Sequence, residues 1–360
     1  MEKICLITFS NNADHQNVIY SMFNALQGKA DVYTMGIQNP KSIIAPRTEK
    51  NYYFDCPGRP GIEAKTFRIH IVRKMAKIIK NNNIKYIYFE SLHVWNILLM
   101  WMCPRCIRIE AVHDVIPHDL SKSVVKCTKL ACKVSDSVLL RNEKYKQLLS
   151  DEYSLPLNKI NCFAPWRDFP KEETITHSGI FLCFGRIRKY KGMDKLEEIV
   201  RLTPHSTFQV VGEPDEESKA IVSALRKYSN VEMIDREVTD QEMIDYFHGA
   251  DWIVLPYTSA TQSGVIADSY RLSRPVIAFN VGAISEQIEN GVTGYLVEAN
   301  NVQAFADTIN SVSSMSKEKV ETFAHNAYTK GYNKYAAEAV ADKFLGIITS
   351  AQKKTRSTDR

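Results

Sequence analysis

The stretch FGRIRKYKG (184–192) sets Arg186, Arg188, Lys189 and Lys191 within six residues, bounded by Gly185 and Gly192. A guanidinium fork and an ammonium point charge suit phosphate oxygens. Cations so placed stabilise the charge that grows as a phosphate departs. The apolar GIFLCFG and the following MDKLEEIVRL read as strand and helix, so the cations ride on a strand-to-helix loop. Doubly wound sheets bind ligands at such carboxyl-end loops. A solvated charged loop is the plainer alternative.

Two other stretches carry chemistry. TQSG (261–264) precedes the helical VIADSYRLS, so its backbone amides and the helix N-terminus form a second anion-binding element, with hydroxyls from Thr261 and Ser263. An ordinary N-cap by Ser263 is the alternative there. His113 and Asp114 end the strand-like IRIEAVHD, with His118 shortly after. The loop SNNADHQN (10–17) follows the first strand and offers Asn11, Asp14 and His15 as candidate ligand-binding groups.

The elements that position these groups alternate. KICLITFS (3–10), ADVYTMG (30–36), IKYIYFE (84–90), IRIEAVHD (107–114), DSVLLR (136–141) and INCFAPW (160–166) read as strands. Helical sequence lies at 18–26, 65–80, 122–133 and 142–150, with a polar stretch to about residue 63 and an apolar segment at 92–102. PWRDFPKEETITHSG (165–179) is polar and proline-flanked, a linker signature. The second half repeats the rhythm, with strands at 179–185, 206–212, 230–235, 251–257, 274–280 and 294–298, and helices including 263–273 and 285–290. Strands separated by helices imply two parallel sheets covered on both faces, with a cleft between two domains.

Composition bounds the rest. The chain has 360 residues, 44% hydrophobic, enough for two domains. Its beginning, MEKICLITFS, is a poor signal peptide, and its longest apolar stretch, residues 92–103, is too short to span a bilayer. The eight cysteines sit mostly in apolar runs, as reduced buried thiols do. The pair in CPRC (103–106) has zinc-like spacing, but Cys127 and Cys132 are too loosely spaced to complete a site, so no metal is expected. Residues 1–165 hold 23 Lys and Arg against 14 Asp and Glu, and the remainder 23 against 27. The basic half implies an anionic partner. KTFRIHIVRKMAKIIK (65–80) reads as a basic amphipathic helix, a form that lies on anionic lipid or packs on its own sheet. No aromatic-interleaved basic patch marks a nucleic-acid partner.

The loop FGRIRKYKGMDKL resembles the basic loop of family 4 glycosyltransferases, which have the two-domain GT-B fold. LPYTSATQSGVIADSYRLSRPVIAFNVGAISEQIENGVTGYLV (255–297) resembles their donor-binding region, and AVHDVIPH (111–118) their His-Asp strand end. The resemblance spans roughly residues 107–297. It implies retention of anomeric configuration, Arg186, Lys191 and His113 as catalytic groups, and donor contacts from Gly185, Thr261, Gln262, Ser263, Gly264, Val265, Asp268 and Glu286. The family often carries two glutamates here. Ala260 and Asp268 stand in their place, an "ATQSGV" variant found among polysaccharide-assembly members.

The expectation is therefore an α/β chain of GT-B type. Residues 1–166 would form an acceptor-side Rossmann-like domain, 167–178 a linker, 179–340 the nucleotide-sugar domain, and 341–360 a helix returning to the first domain with a frayed tail. The expected reaction moves a hexose-like sugar from a nucleotide diphosphate to an acceptor alcohol, with no cofactor or metal. The expected acceptor is a lipid-pyrophosphate-linked saccharide in bacterial surface-polysaccharide assembly, and the expected place is the cytoplasm or the inner membrane face. Asn11, Asp14, His15, Asp114 and His118 are the acceptor-side candidates. A sugar-nucleotide-binding protein without transferase activity is the alternative.

Overall fold

The computed structural model describes residues 1–38, 48–57, 63–113, 115, 122–172, 174–175 and 177–357. The chain divides into two compact units, Met1–Arg167 with the stretch from Ala337 onward, and Asp168–Ala336.

The first unit runs β1 (Lys3–Ile7), α1 (Ala13–Ala25), β2 (Asp31–Ile37), β3 (Asn51–Phe54), α2 (Ile69–Asn81), β4 (Tyr86–Phe89), α3 (Val94–Met102), β5 (Ile107–Val112), α4 (Lys122–Val134), β6 (Ser137–Leu140), α5 (Lys146–Tyr153) and β7 (Ile160–Cys162). All seven strands are parallel, in the order β3-β2-β1-β4-β5-β6-β7. Side chains alternate across the pleat. Ile4, Leu6, Tyr86 and Tyr88 face one helical layer, while Cys5, Ile7, Ile87 and Phe89 face the other. Burial on both faces explains why these strands read as unbroken apolar runs.

The second unit runs β8 (Ile180–Phe184), α6 (Met193–Leu202), β9 (Thr207–Val211), α7 (Lys219–Leu225), β10 (Val231–Ile234), α8 (Asp240–Gly249), β11 (Trp252–Leu255), α9 (Gly264–Arg271), β12 (Val276–Phe279), β13 (Gly294–Val297), α10 (Val302–Ser313) and α11 (Lys317–Tyr335). Its order is β10-β9-β8-β11-β12-β13, again parallel. Each sheet reverses direction beside its first strand, between β1 and β4 and between β8 and β11. Ligand crevices form at such switch points.

The final helix, α12 (Ala337–Ser357), packs on α1 and β5 of the first unit. Ala337, Val340, Phe344 and Ile348 join that unit's core, with Phe344 edge-on to Tyr88 and Trp166. Several local expectations are corrected. β3 lies inside the stretch read only as polar. The last strand of the first unit ends at Cys162 rather than at 166, and the helix read at 142–150 begins at Lys146. The helix expected at 285–290 is a single 3-10 turn, Ile284–Glu286, because the chain must return to start β13 at Gly294. The polar segment read as a linker carries two apolar anchors. Phe169 packs edge-on against Tyr328 and Tyr332, and Ile175 is buried in the second unit's core.

Candidate functional site

In the second unit, β8 and β11 are neighbours, so the loops that leave their carboxyl ends stand side by side. The β8 loop is the basic one. Gly185 has φ +97°, and a Cβ added there would lie 2.7 Å from the Lys191 ammonium and 3.8 Å from Val265. Gly192 has φ +67°, and a Cβ there would come within 1.9 Å of the Pro256 carbonyl oxygen. The missing side chains thus let the two loops close on each other. Thr258 of the β11 loop donates its N–H to the Tyr190 carbonyl at 2.9 Å, which fastens them.

The four cations have separate fates. Lys191 is buried, with Nζ 3.4 Å from the Phe184 carbonyl and 5.6 Å from the Tyr257 ring centroid. Burial pulls its pKa from 10.5 down to about 8, a shift that Cys183 opposes and that Arg186 and Arg188 reinforce. Arg188 is committed to Asp215 at 3.1 Å. Lys189 is exposed. Arg186 is exposed and, among the described residues, has no acid partner. One buried cation, Lys191, and two exposed ones, Arg186 and Lys189, therefore remain beside the switch point.

The β11 loop ends at α9. Thr261 and Ser263 are buried, while Gln262, Gly264 and Val265 are half-buried. Ser263 is the N-cap residue, but its side chain makes no capping bond to the helix. Ser263 thus holds the N-cap position expected of it, without the hydroxyl bond that an ordinary cap makes. Its backbone is instead clamped by a residue the sequence reading missed. The Ser263 N–H donates to Gln287 Oε1 at 2.8 Å, and Gln287 Nε2 donates to the Ser263 carbonyl at 3.0 Å and the Tyr335 hydroxyl at 3.1 Å. This clamp fixes the first turn of α9, and the leading amides of a helix are able to donate to an anion. Asp268 lies one turn into the helix, ion-paired with Arg271 at 3.0 Å. Ala260 is buried. Glu286 ends the 3-10 turn, half-buried, its carbonyl accepting from Lys334 at 2.6 Å, and no helix follows for it to cap.

In the first unit, the strand ends of β4, β5 and β6 bring together a cluster that the sequence reading found only in part. His113 Nε2 lies 2.6 Å from the Glu90 carbonyl oxygen, which can only accept, so Nε2 carries the proton and the lone pair sits on Nδ1. The same nitrogen is 3.1 Å from Glu90 Oε1. Glu90 is wholly buried and also bonds Arg141 and the Tyr88 hydroxyl. Burial alone would raise its carboxyl; Arg141, with His113 and His15, overrides this and holds it well below the usual carboxylate range. The His15 ring sits 4.4 Å from the His113 ring. Burial and the neighbouring His113 lower His15 to about 4, leaving it a neutral imidazole at pH 7.

Asp14 bonds Arg167, a second partner that the sequence reading missed, and Asn11 is exposed ahead of α1. Asp114 and His118 lie outside the described residues. Among the described residues, no cluster of three or more His, Cys, Asp or Glu side chains is arranged to hold a metal ion.

Residues 178–314 match the family model described as glycosyl transferases group 1. A D-inositol 3-phosphate glycosyltransferase of Rhodococcus jostii is 25% identical over 210 residues, 50% of this chain and 45% of that protein. One of Streptomyces bingchenggensis is 28% identical over 180 residues, 45% of this chain and 39% of that protein. The matched stretch thus spans less than half the length of these curated relatives. Among solved structures, a sucrose-phosphate synthase of Thermosynechococcus elongatus superposes with a TM-score of 0.75 at 14% identity, over 98% of this chain and 100% of that one. Anabaena HepE, solved in complex with UDP and with UDP-glucose, superposes in its UDP complex with a TM-score of 0.73 at 14% identity, over 97% and 100%. The chain has the GT-B fold, and its second unit matches a group 1 glycosyltransferase domain over residues 178–314.

Proposed function

We propose that this chain is a retaining glycosyltransferase that moves a hexose-like sugar from a nucleotide diphosphate to an acceptor alcohol. The observation that carries the reading is the buried Lys191 and Arg186, which has no acid partner among the described residues, beside the N-terminus of α9 at the switch point between β8 and β11. Burying an amine against its solvation is unfavourable in the absence of an anion, and a diphosphate supplies one. As the sugar–phosphate bond breaks, charge grows on the leaving oxygen. Lys191, Arg186 and the α9 amides meet it there, and they do so without a metal. The acceptor oxygen bonds the anomeric carbon on the face that the phosphate leaves, and its proton passes to that departing phosphate. This front-side route retains configuration and assigns no side-chain base.

Asp268 is assigned to the ribose, and Glu286 to hydroxyls of the transferred sugar. His113, through the Nδ1 lone pair, is assigned to accept from a substrate hydroxyl. Asn11, Asp14 and His15 stand on the acceptor side. The acceptor assigned is a lipid-pyrophosphate-linked saccharide of surface-polysaccharide assembly. The names of the curated relatives favour a phosphorylated cyclitol as the second acceptor to try. The complexes of HepE make uridine the first base to try.

The test measures free nucleotide released from UDP-, GDP-, ADP- and dTDP-sugars with each acceptor. Turnover of one donor, lost in Arg186→Ala, supports the reading. Binding of a nucleotide sugar without turnover with any acceptor would instead mark a binding protein. One variant isolates the loop geometry. Gly185→Ala places a Cβ on Lys191 and strains a left-handed backbone. It should weaken UDP about tenfold by calorimetry, the equivalent of roughly 1.4 kcal/mol, with the circular dichroism spectrum unchanged.

A further inference from the structure

The helices α2, α3 and α4 form one surface of the first unit, α2 and α4 each packing against α3. None of the three contains an Asp or Glu, although the chain has 41 such residues in 360. Arg73, Lys74, Lys77 and Lys80 stand on α2, and Lys122, Lys126, Lys129 and Lys133 on α4. Among the described residues none of these eight pairs with an acid. The same surface displays large apolar side chains that its own packing does not use. Eight large hydrophobics are exposed among the described residues, and five belong here: Phe67 at the end of the 3-10 turn just ahead of α2, Ile69 at the start of α2, Trp101 on α3, and Val124 and Leu130 on α4. The inward faces are already filled by Val72, Met75, Ile79, Leu99 and Cys132, so the exposed five are additional.

A helix that merely packs on its sheet keeps apolar residues inside and mixed charge outside. Single-sign charge interleaved with exposed aromatic and aliphatic groups matches instead an interface of anionic headgroups over acyl chains. Tryptophan and phenylalanine seat at that boundary. Nucleic acid would take the charge but would leave Leu130, Val124 and Ile69 in water.

We infer that the α2–α3–α4 surface docks this protein on an anionic lipid bilayer, with Lys and Arg on the headgroups and Phe67, Trp101 and Leu130 inserted below them. The inference stands on this surface alone and does not depend on the transfer reading.

Trp101 supplies the readout, because Trp95, Trp166 and Trp252 are at most 2% exposed. The full chain is mixed with vesicles containing phosphatidylglycerol and with vesicles of phosphatidylcholine alone. Binding to the first only, weakened by salt, with a blue shift of tryptophan emission that Trp101→Phe removes, is the expected result. Lys74→Gln, Lys77→Gln, Lys126→Gln and Lys133→Gln combined should lower vesicle affinity by two to three orders of magnitude, roughly a factor of five per cation. UDP affinity and the melting temperature should not change. Equal binding to both vesicle types, or undiminished binding of the quadruple variant, overturns the inference. So does binding to RNA as tight as to vesicles with Trp101 emission unmoved, which would mark a general polyanion surface.

Discussion

Replacing Lys191 by methionine should lower turnover of the nucleotide sugar about a thousandfold, the scale of removing one preorganised donor to a developing oxyanion, while making the protein more stable. The two effects share one cause. Burial pulls the Lys191 pKa from 10.5 to about 8, so below pH 8 the folded chain pays for holding a desolvated cation. That shift corresponds to about 3 kcal/mol at neutral pH, which methionine relieves. The unfolded chain binds more protons than the folded one between about pH 8 and 10.5, so wild-type stability rises across that window. The methionine variant lacks this rise. On the proposed reading donor affinity runs the other way, since the ammonium assigned to the diphosphate is lost as pH rises through about 8. Chemical denaturation from pH 7 to 10.5, beside UDP titrations over the same range, reads both limbs. A variant that loses stability along with turnover would make Lys191 a structural residue.

The parts of this site that were legible in the sequence are those whose information is local. An apolar run ending in Gly185, four cations, a second glycine and a helix mark the loop and its charge, because those features depend only on chain neighbours. TQSG before VIADSYRLS is legible for the same reason. Gln287 is not. It lies 24 residues from Ser263 and looks like any polar residue in a turn until the return to β13 sets it against the α9 backbone. Arg188 reads like Arg186, and only the position of Asp215 after β9 separates the committed cation from the open one.

Strand order hides more. Glu90 and Arg141 are 51 positions apart, at the ends of β4 and β6, and only the β4-β5-β6 adjacency brings them together around His113. Period and propensity determine which residues face inward, not which strand lies beside which. The same limit applies to the surface formed by α2 and α4. Each helix shows its basic face in sequence, but α3 between them makes the two faces one.

Arg141→Met should destabilise the first unit by about 3–5 kcal/mol, the cost of leaving one member of a buried ion pair behind, and Glu90→Gln combined with it should restore most of that loss. Glu90 would otherwise stay buried with only Tyr88 and His113 against its charge. Glutamine removes the charge together with its counter-ion. In the wild type, the folded Glu90 pKa lies below its unfolded value, so its contribution is complete above an unfolded pKa of about 4.3. It fades as pH falls from there towards the folded value. Urea unfolding from pH 7 down to 3 should show a shallower acid limb in the double variant than in the wild type, the remainder coming from other paired carboxylates such as Asp55 and Glu242. The cycle also separates the pair from His113. The His113 Nε2 proton goes to the Glu90 backbone carbonyl, which neither substitution removes. The double variant should therefore keep its Nδ1 lone pair, visible in the 15N shifts of the ring. Retained tautomer with restored stability but reduced turnover would mean that the carboxylate and guanidinium act on the reaction through the field they set at the imidazole. Full turnover would mean that they only hold three strand ends together.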